Sequence, residues 1–184
     1  MAGRLKIILI TGMCVLAIFV VVMAAFYLDL AGHLATGSKT YEPDNATIGK
    51  AIIVYSPGWT GLTWYAVDNV AGLLADKGYE VETAGVNSGK TQNLSDYNLV
   101  IVASPNYGKR PTDRAGAFIE SMQPDEDAAI GVLCTSAGNT SKGADAVKAR
   151  IEGRGMSVKA IMILALNEPA GPASTGFVEE LLSD

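Results

Sequence analysis

The stretch Tyr97-Asn98-Leu99-Val100-Ile101-Val102-Ala103-Ser104-Pro105-Asn106-Tyr107-Gly108 decides how the rest of the chain is read. Residues 99–103 are continuously apolar, so the strand they form has no polar face and must be covered on both sides. Two further runs have the same character: residues 51–55 (Ala-Ile-Ile-Val-Tyr), which end at Ser-Pro-Gly, and residues 130–134. Residues 159–166 form a last apolar strand. Helical stripes lie between them. Val67, Val70, Ala71 and Leu74 recur at helical spacing, with Lys77 and then Gly78 as the stop. Ala115, Phe118, Ile119 and Met122 form a second stripe that Pro111 opens in its first turn, and Ala144, Val147 and Ile151 mark a third. Residues 177–182 close the chain as a short helix. Residues 79–83 alternate, with Glu80 and Glu82 on one face, as an outer strand does. A short helix or turn around residues 91–96 restores strict alternation. The pattern predicts an α/β domain: a doubly wound, parallel, five-stranded sheet covered on both faces.

The chain has 184 residues, of which 49% are hydrophobic and 18% charged, with a formal net charge of −5. That suits one domain with a substantial core and excludes disorder. The acidic balance argues against nucleic acid as a partner, because that binding needs a cationic surface. A mean hydropathy of +0.25 is high for a soluble chain and points to a lipid-facing segment. Residues 7–28 carry no charge. As a helix they span roughly 33 Å, against a hydrocarbon core of about 30 Å. Arg4 and Lys6 precede this run and Asp29 follows it. The positive-inside rule therefore predicts a single-pass protein of the cell membrane, with residues 1–6 in the cytoplasm and the domain outside. The competing reading is a signal peptide cleaved after Ala24. Residues 29–48 are polar and aperiodic, which predicts a stalk before a domain of residues 49–184. Sequons at Asn45, Asn93 and Asn139 suit export, and chance explains each singly. Cys14 and Cys134 fall on opposite sides of the expected membrane boundary, so they are not expected to pair.

In a doubly wound sheet, ligands bind beyond the carboxyl ends of the strands. The first loop there is Ser56-Pro57-Gly58-Trp59-Thr60-Gly61-Leu62-Thr63, which holds hydroxyls and glycines before a helix and no cation. Backbone N–H groups and hydroxyls at a helix start can bind a phosphate, although such residues also cap ordinary helices. The second loop, Ser104-Pro105-Asn106-Tyr107-Gly108, presents an aromatic suited to stacking on a planar ring, or to packing on its own domain. The third contains Thr135, Ser136, Ala137 and Gly138, small enough for a flat heterocycle to approach the backbone closely.

Together the loops resemble those of the flavodoxin family, over residues 50 to the end. Thr60-Gly61-Leu62-Thr63 matches the T-G-x-T phosphate loop, and Ser104-Pro105-Asn106-Tyr107-Gly108 matches the S-P-x-Y-G turn. Residues 97–105 resemble the family's Y-D-x-V-x-x-G-S-P segment. The resemblance implies a flavodoxin-like fold and noncovalent FMN, with its phosphate at Ser56, Gly58, Trp59, Thr60, Gly61, Leu62 and Thr63. The ring would lie between Ser104, Pro105, Asn106, Tyr107 and Gly108 on one side and Thr135, Ser136, Ala137 and Gly138 on the other. It also implies electron transfer with a redox partner that the sequence does not identify. Departures are visible: the first loop is one residue longer than usual, and Gly58 stands where a hydroxyl usually leads.

Other motifs are read structurally. Residues 85–91 mimic a phosphate-binding P-loop, but with three intervening residues where four are needed and no long helix after them. Cys134 has no histidine to activate it, since the only one is His33 in the stalk. Trp64 and Tyr65 begin a helix and are read as packing residues. Lys109 and Arg110 are read as exposed basic residues. The alternative to an FMN electron carrier is a cofactor-free domain of the same fold, used for binding outside the membrane.

Overall fold

A computed structural model describes residues 2–30, 35–138 and 140–183. His33 and Asn139, and with Asn139 the third sequon, lie outside these residues. The chain begins with α1 (Ala2–Leu30), longer at both ends than the apolar run itself. The apolar span is Lys6–Asp29, and it is long and apolar enough to cross a membrane. Ile7, Leu9, Val15, Phe19 and Val21 all stand open. A helix that is apolar all round has no solvated face to offer, unlike the amphipathic helices of the domain.

The domain is a single sheet of six strands, in the order β1-β3-β2-β4-β5-β6. These are β1 (Ser38–Tyr41), β2 (Gly49–Tyr55), β3 (Tyr79–Gly85), β4 (Leu99–Pro105), β5 (Ala129–Ser136) and β6 (Val158–Ala165). Strands β2 to β6 run parallel to one another, as the apolar runs predict. Alternate residues feed opposite cores. Ala51, Ile53, Leu99, Ile101 and Ala103 meet α2 (Leu62–Asp76) and α5 (Ala170–Leu182) on one face. Ile52, Val54, Val100 and Val102 meet α3 (Asp113–Ser121) and α4 (Lys142–Glu152) on the other. Every residue of β4 is buried, which makes it the central strand.

Four details differ from the sequence expectation. The sheet has six strands rather than five, because residues 38–41 of the expected stalk pair antiparallel with β3. The outer parallel strand had a free edge of N–H and C=O groups, and this short segment covers it. Thr83 Oγ1 also donates to the Lys39 carbonyl oxygen at 3.1 Å. The expected turn near residues 91–96 is a 3₁₀ turn at Gly89–Gln92. Pro111 precedes α3 instead of opening it, because Thr112 is the cap and its hydroxyl accepts from the Ala115 N–H. Helix α5 begins at Ala170 and includes Pro172, which lies in the first turn where no intrahelical N–H bond is lost.

Candidate functional site

The first, second and third loops leave β2, β4 and β5 at the carboxyl edge of the sheet, where the strand order reverses between β2 and β4. They converge on a cavity of about 110 Å³ lined by Thr60, Leu62, Pro105, Asn106, Tyr107, Thr135, Ser136, Ala137 and Leu166. Eight of these nine residues belong to the sequence-derived set. Leu166 does not. It follows β6 and is half exposed, and an apolar residue just past the last strand was its only signal.

The remaining expected residues sit elsewhere. Ser56, Thr63 and Ser104 are buried, and their hydroxyls are engaged inside the protein. Ser56 and Thr112 share a 2.7 Å hydroxyl bond, and Thr63 and Thr135 share one of 2.6 Å. Ser104 Oγ donates to the Pro105 carbonyl oxygen and accepts from the Thr112 N–H. These three residues build the walls that hold the loops at fixed spacing. Gly58 and Gly61 take left-handed backbone conformations, at φ 77° and 72°. A Cβ at Gly58 would come within 3.0 Å of Thr63 Oγ1, so both conformation and space call for glycine there. Gly61 is the residue before α2, so the loop ends on a helix N-terminus whose cap supplies no side chain. Gly138 is exposed beside the cavity.

The second loop turns sharply. Tyr107 and Arg110 pair across Gly108 and Lys109, both in left-handed conformations, which is the pattern of a type I′ turn. This turn presents the Tyr107 ring toward the first loop. The Trp59 N–H donates to the Tyr107 hydroxyl oxygen at 2.9 Å, and that hydroxyl donates to Asp29 Oδ2 at the end of α1. Partial burial, the main cause, and this bond to a carboxylate push the Tyr107 hydroxyl pKa up to about 12. Phe26 of α1 meets the rings of both Trp59 and Tyr107 edge-on, with centroids 5.7 and 5.9 Å away. Trp59 therefore faces α1 and is not among the residues that line the cavity. Sequence reasoning missed Phe26 and Asp29, because nothing local ties the end of an apolar helix to a loop nearly eighty residues on.

Two polar features bear on binding. Asn106 lines the cavity, and its Oδ1 is buried without a hydrogen-bond partner. Its backbone N–H is committed to the Thr135 carbonyl oxygen. In the first loop the Gly61 N–H donates to the Gly58 carbonyl oxygen and the Leu62 N–H to Thr60 Oγ1, at 3.2 and 3.3 Å.

The other motifs take structural roles. Cys134 is buried at the end of β5, and burial pushes its thiol pKa up to about 12, which keeps it protonated and unreactive. In the P-loop mimic, Lys90 bridges to Glu82 at 3.2 Å and no long helix follows. Lys109 and Arg110 are exposed. Trp64 and Tyr65 differ from expectation: they are exposed rather than packed, because the buried stripe of α2 runs through Thr63, Ala66, Val67 and Val70 and turns them outward.

No protein-family model and no curated protein matches the chain. Solved structures do. The Megasphaera elsdenii flavodoxin is 18% identical with a TM-score of 0.60, over 71% of this chain and 98% of that one. The Streptococcus pneumoniae flavodoxin is 22% identical with a TM-score of 0.57, over 72% and 97%. The rubredoxin oxygen:oxidoreductase of Desulfovibrio gigas is 17% identical with a TM-score of 0.59, but the match covers 74% of this chain and only 35% of that longer protein. The chain thus spans about a third of that oxidoreductase. The protein thus has a flavodoxin-like α/β fold, preceded, among the described residues, by one helix long and apolar enough to cross a membrane.

Proposed function

We propose that the protein is a membrane-anchored electron-transfer protein that holds FMN noncovalently at the carboxyl edge of its sheet. In this reading residues 7–28 cross the bilayer, residues 1–6 face the cytoplasm and the domain lies outside. Arg4 and Lys6 before the span and Asp29 after it support that orientation. The observation that carries the flavin reading is the convergence of three loops on one cavity at the strand-order reversal. Bound FMN supplies one- or two-electron chemistry, and the protein supplies position and surroundings.

The residues present suit the group in kind. The start of α2, entered through Gly58 and Gly61, offers N–H groups to a phosphate without needing a cation. The small residues Thr135, Ser136 and Ala137 let a flat ring lie against backbone. The cavity of about 110 Å³ is smaller than the roughly 300 Å³ at the low end of ligand pockets. Accommodating a ring therefore requires the cavity to widen.

The internal bonding of the Trp59, Gly61 and Leu62 N–H groups favours a second reading, a cofactor-free domain of the same fold. Titration of the purified full chain with FMN separates the two. The flavin reading expects visible flavin absorbance to stay with the protein after gel filtration and riboflavin to bind more weakly than FMN. It also expects Thr60→Val to weaken binding, since Thr60 is exposed at the cavity and its hydroxyl carries only one local bond. Protein that emerges colourless from saturating FMN supports the cofactor-free reading.

A further inference from the structure

The apolar helix meets the domain at the edge that carries the cavity. Phe26 and Asp29, near the end of α1, touch Trp59 and Tyr107 on the loops after β2 and β4. The apolar span itself ends at Asp29. Where α1 crosses a bilayer, the membrane boundary and the carboxyl edge of the sheet are therefore at the same height.

That edge also carries an unusual surface. Outside α1, the exposed large apolar side chains of the described residues are Ile48, Trp59, Trp64, Tyr65 and Leu166. Four of the five lie at the carboxyl edge, at 49%, 50%, 53% and 49% exposure for Trp59, Trp64, Tyr65 and Leu166. Ile48 alone lies at the opposite edge, against Gly78. Three of the four are the amphipathic aromatics that favour the interfacial layer of a bilayer. The first loop, residues 56–63, bears no charge, and the next turn exposes Lys109 and Arg110. The chain is acidic overall, so two adjacent cations beside the aromatics are placed against its net charge.

We propose that this edge is a bilayer-docking surface. Trp59, Trp64, Tyr65 and Leu166 enter the interfacial layer, Lys109 and Arg110 meet headgroup phosphates, and the cavity opens toward the membrane. This rests on the reading of α1 as a membrane span. A lipid surface fits better than a protein partner because the span ends at Asp29, which is bonded to this same edge. A redox partner that reaches the cavity must then approach along the membrane.

The two docking tryptophans are the only ones in the chain, so tryptophan emission, excited selectively over tyrosine, reports on the proposed surface alone. Trp64 is the decisive reporter, because Trp59 already touches α1. The test uses the full chain in phosphatidylcholine–phosphatidylglycerol vesicles, with and without bromine on the acyl chains. In Trp59→Phe, bromolipid is expected to lower emission about twofold, with aqueous iodide having little effect, as for an interfacial indole. Should that variant not fold, the difference between the unaltered chain and Trp64→Phe isolates the same signal. Flotation on a density gradient separates the two ideas. A chain that does not float with vesicles overturns the membrane span and the docking together. A chain that floats but whose Trp64 is quenched by iodide and not by bromolipid overturns the docking alone. Shielding from both quenchers means that protein covers the edge, which also overturns it.

Discussion

Two runs of this chain carry no charge and little but apolar side chains, yet they end in opposite surroundings. Strand β4 is buried at every residue, while α1 stands exposed along nearly its whole length. Length separates them. Seven extended residues fit inside a domain, and their backbone groups are paired by strands on either side. A 24-residue apolar helix satisfies its own backbone and is as long as a hydrocarbon core is thick. An apolar run therefore does not by itself mean a protein core. What matters is which solvent its length allows it to reach.

The sharpest way to break this comparison is to place the same charge in both runs. Ile101→Lys in β4 buries an ammonium with no partner at a fully buried site, and the expected loss exceeds about 4 kcal/mol. Loss of the cooperative thermal transition of the full chain checks it. Val15→Lys in α1 is expected to leave that transition in place within about 0.5 kcal/mol, while insertion into a bilayer weakens by about 2.5–3.5 kcal/mol. Alkaline extraction of membranes measures the second effect. If both substitutions unfold the domain alike, α1 is a core helix and the contrast disappears.

A smaller effect probes the carboxyl end of β4, where Pro105 pairs with Thr135. Thr63→Val leaves the buried Thr135 hydroxyl without its 2.6 Å partner and is expected to cost about 1–3 kcal/mol of stability. Thr60→Val, at an exposed residue, is expected to cost less than about 0.5 kcal/mol. Chemical denaturation of the two variants distinguishes a wall residue from a lining residue.

A further effect, read against pH, is expected where α1 meets the loop after β4, at Tyr107 and Asp29. The hydroxyl pKa of Tyr107 is raised from 10.0 to about 12 in the folded state. A raised value means that the folded state holds its proton more tightly. The stabilisation is therefore complete below pH 10 and is lost as pH rises from 10 toward 12. Tyr107→Phe is expected to flatten that part of the stability–pH curve, seen as a smaller drop in melting temperature between the two pH values. An unchanged curve would mean that other tyrosines, such as Tyr97, dominate the alkaline transition.

Much of this molecule can be read locally. Residues 51–55, 99–103 and 130–134 announce doubly covered strands, and the stripes at 67–74 and 144–151 announce their helices, because burial imposes a period that needs no partner to be seen. Eight of the nine cavity-lining residues were legible for a related reason: loops after parallel strands must fall at one edge. Three things were not legible. Residues 38–41 form a strand only because β3 leaves an edge open. The hydroxyls of Ser56, Thr63 and Ser104 look like ligands in sequence but are consumed by Thr112, Thr135 and the Pro105 carbonyl. Trp64 and Tyr65 look like packing residues until the phase of α2 turns them outward.

The sequence by itself determined the parallel sheet, its two covered faces, the edge that gathers the loops and the apolar span before them. Each of these follows from hydrophobic period and run length, which are properties of neighbouring residues. Only the tertiary structure decided the antiparallel sixth strand, which hydroxyls remain free and the contact of α1 with Trp59 and Tyr107. Those depend on groups such as Asp29 and Tyr107, 78 residues apart, and no local pattern encodes a pairing made across a folded chain.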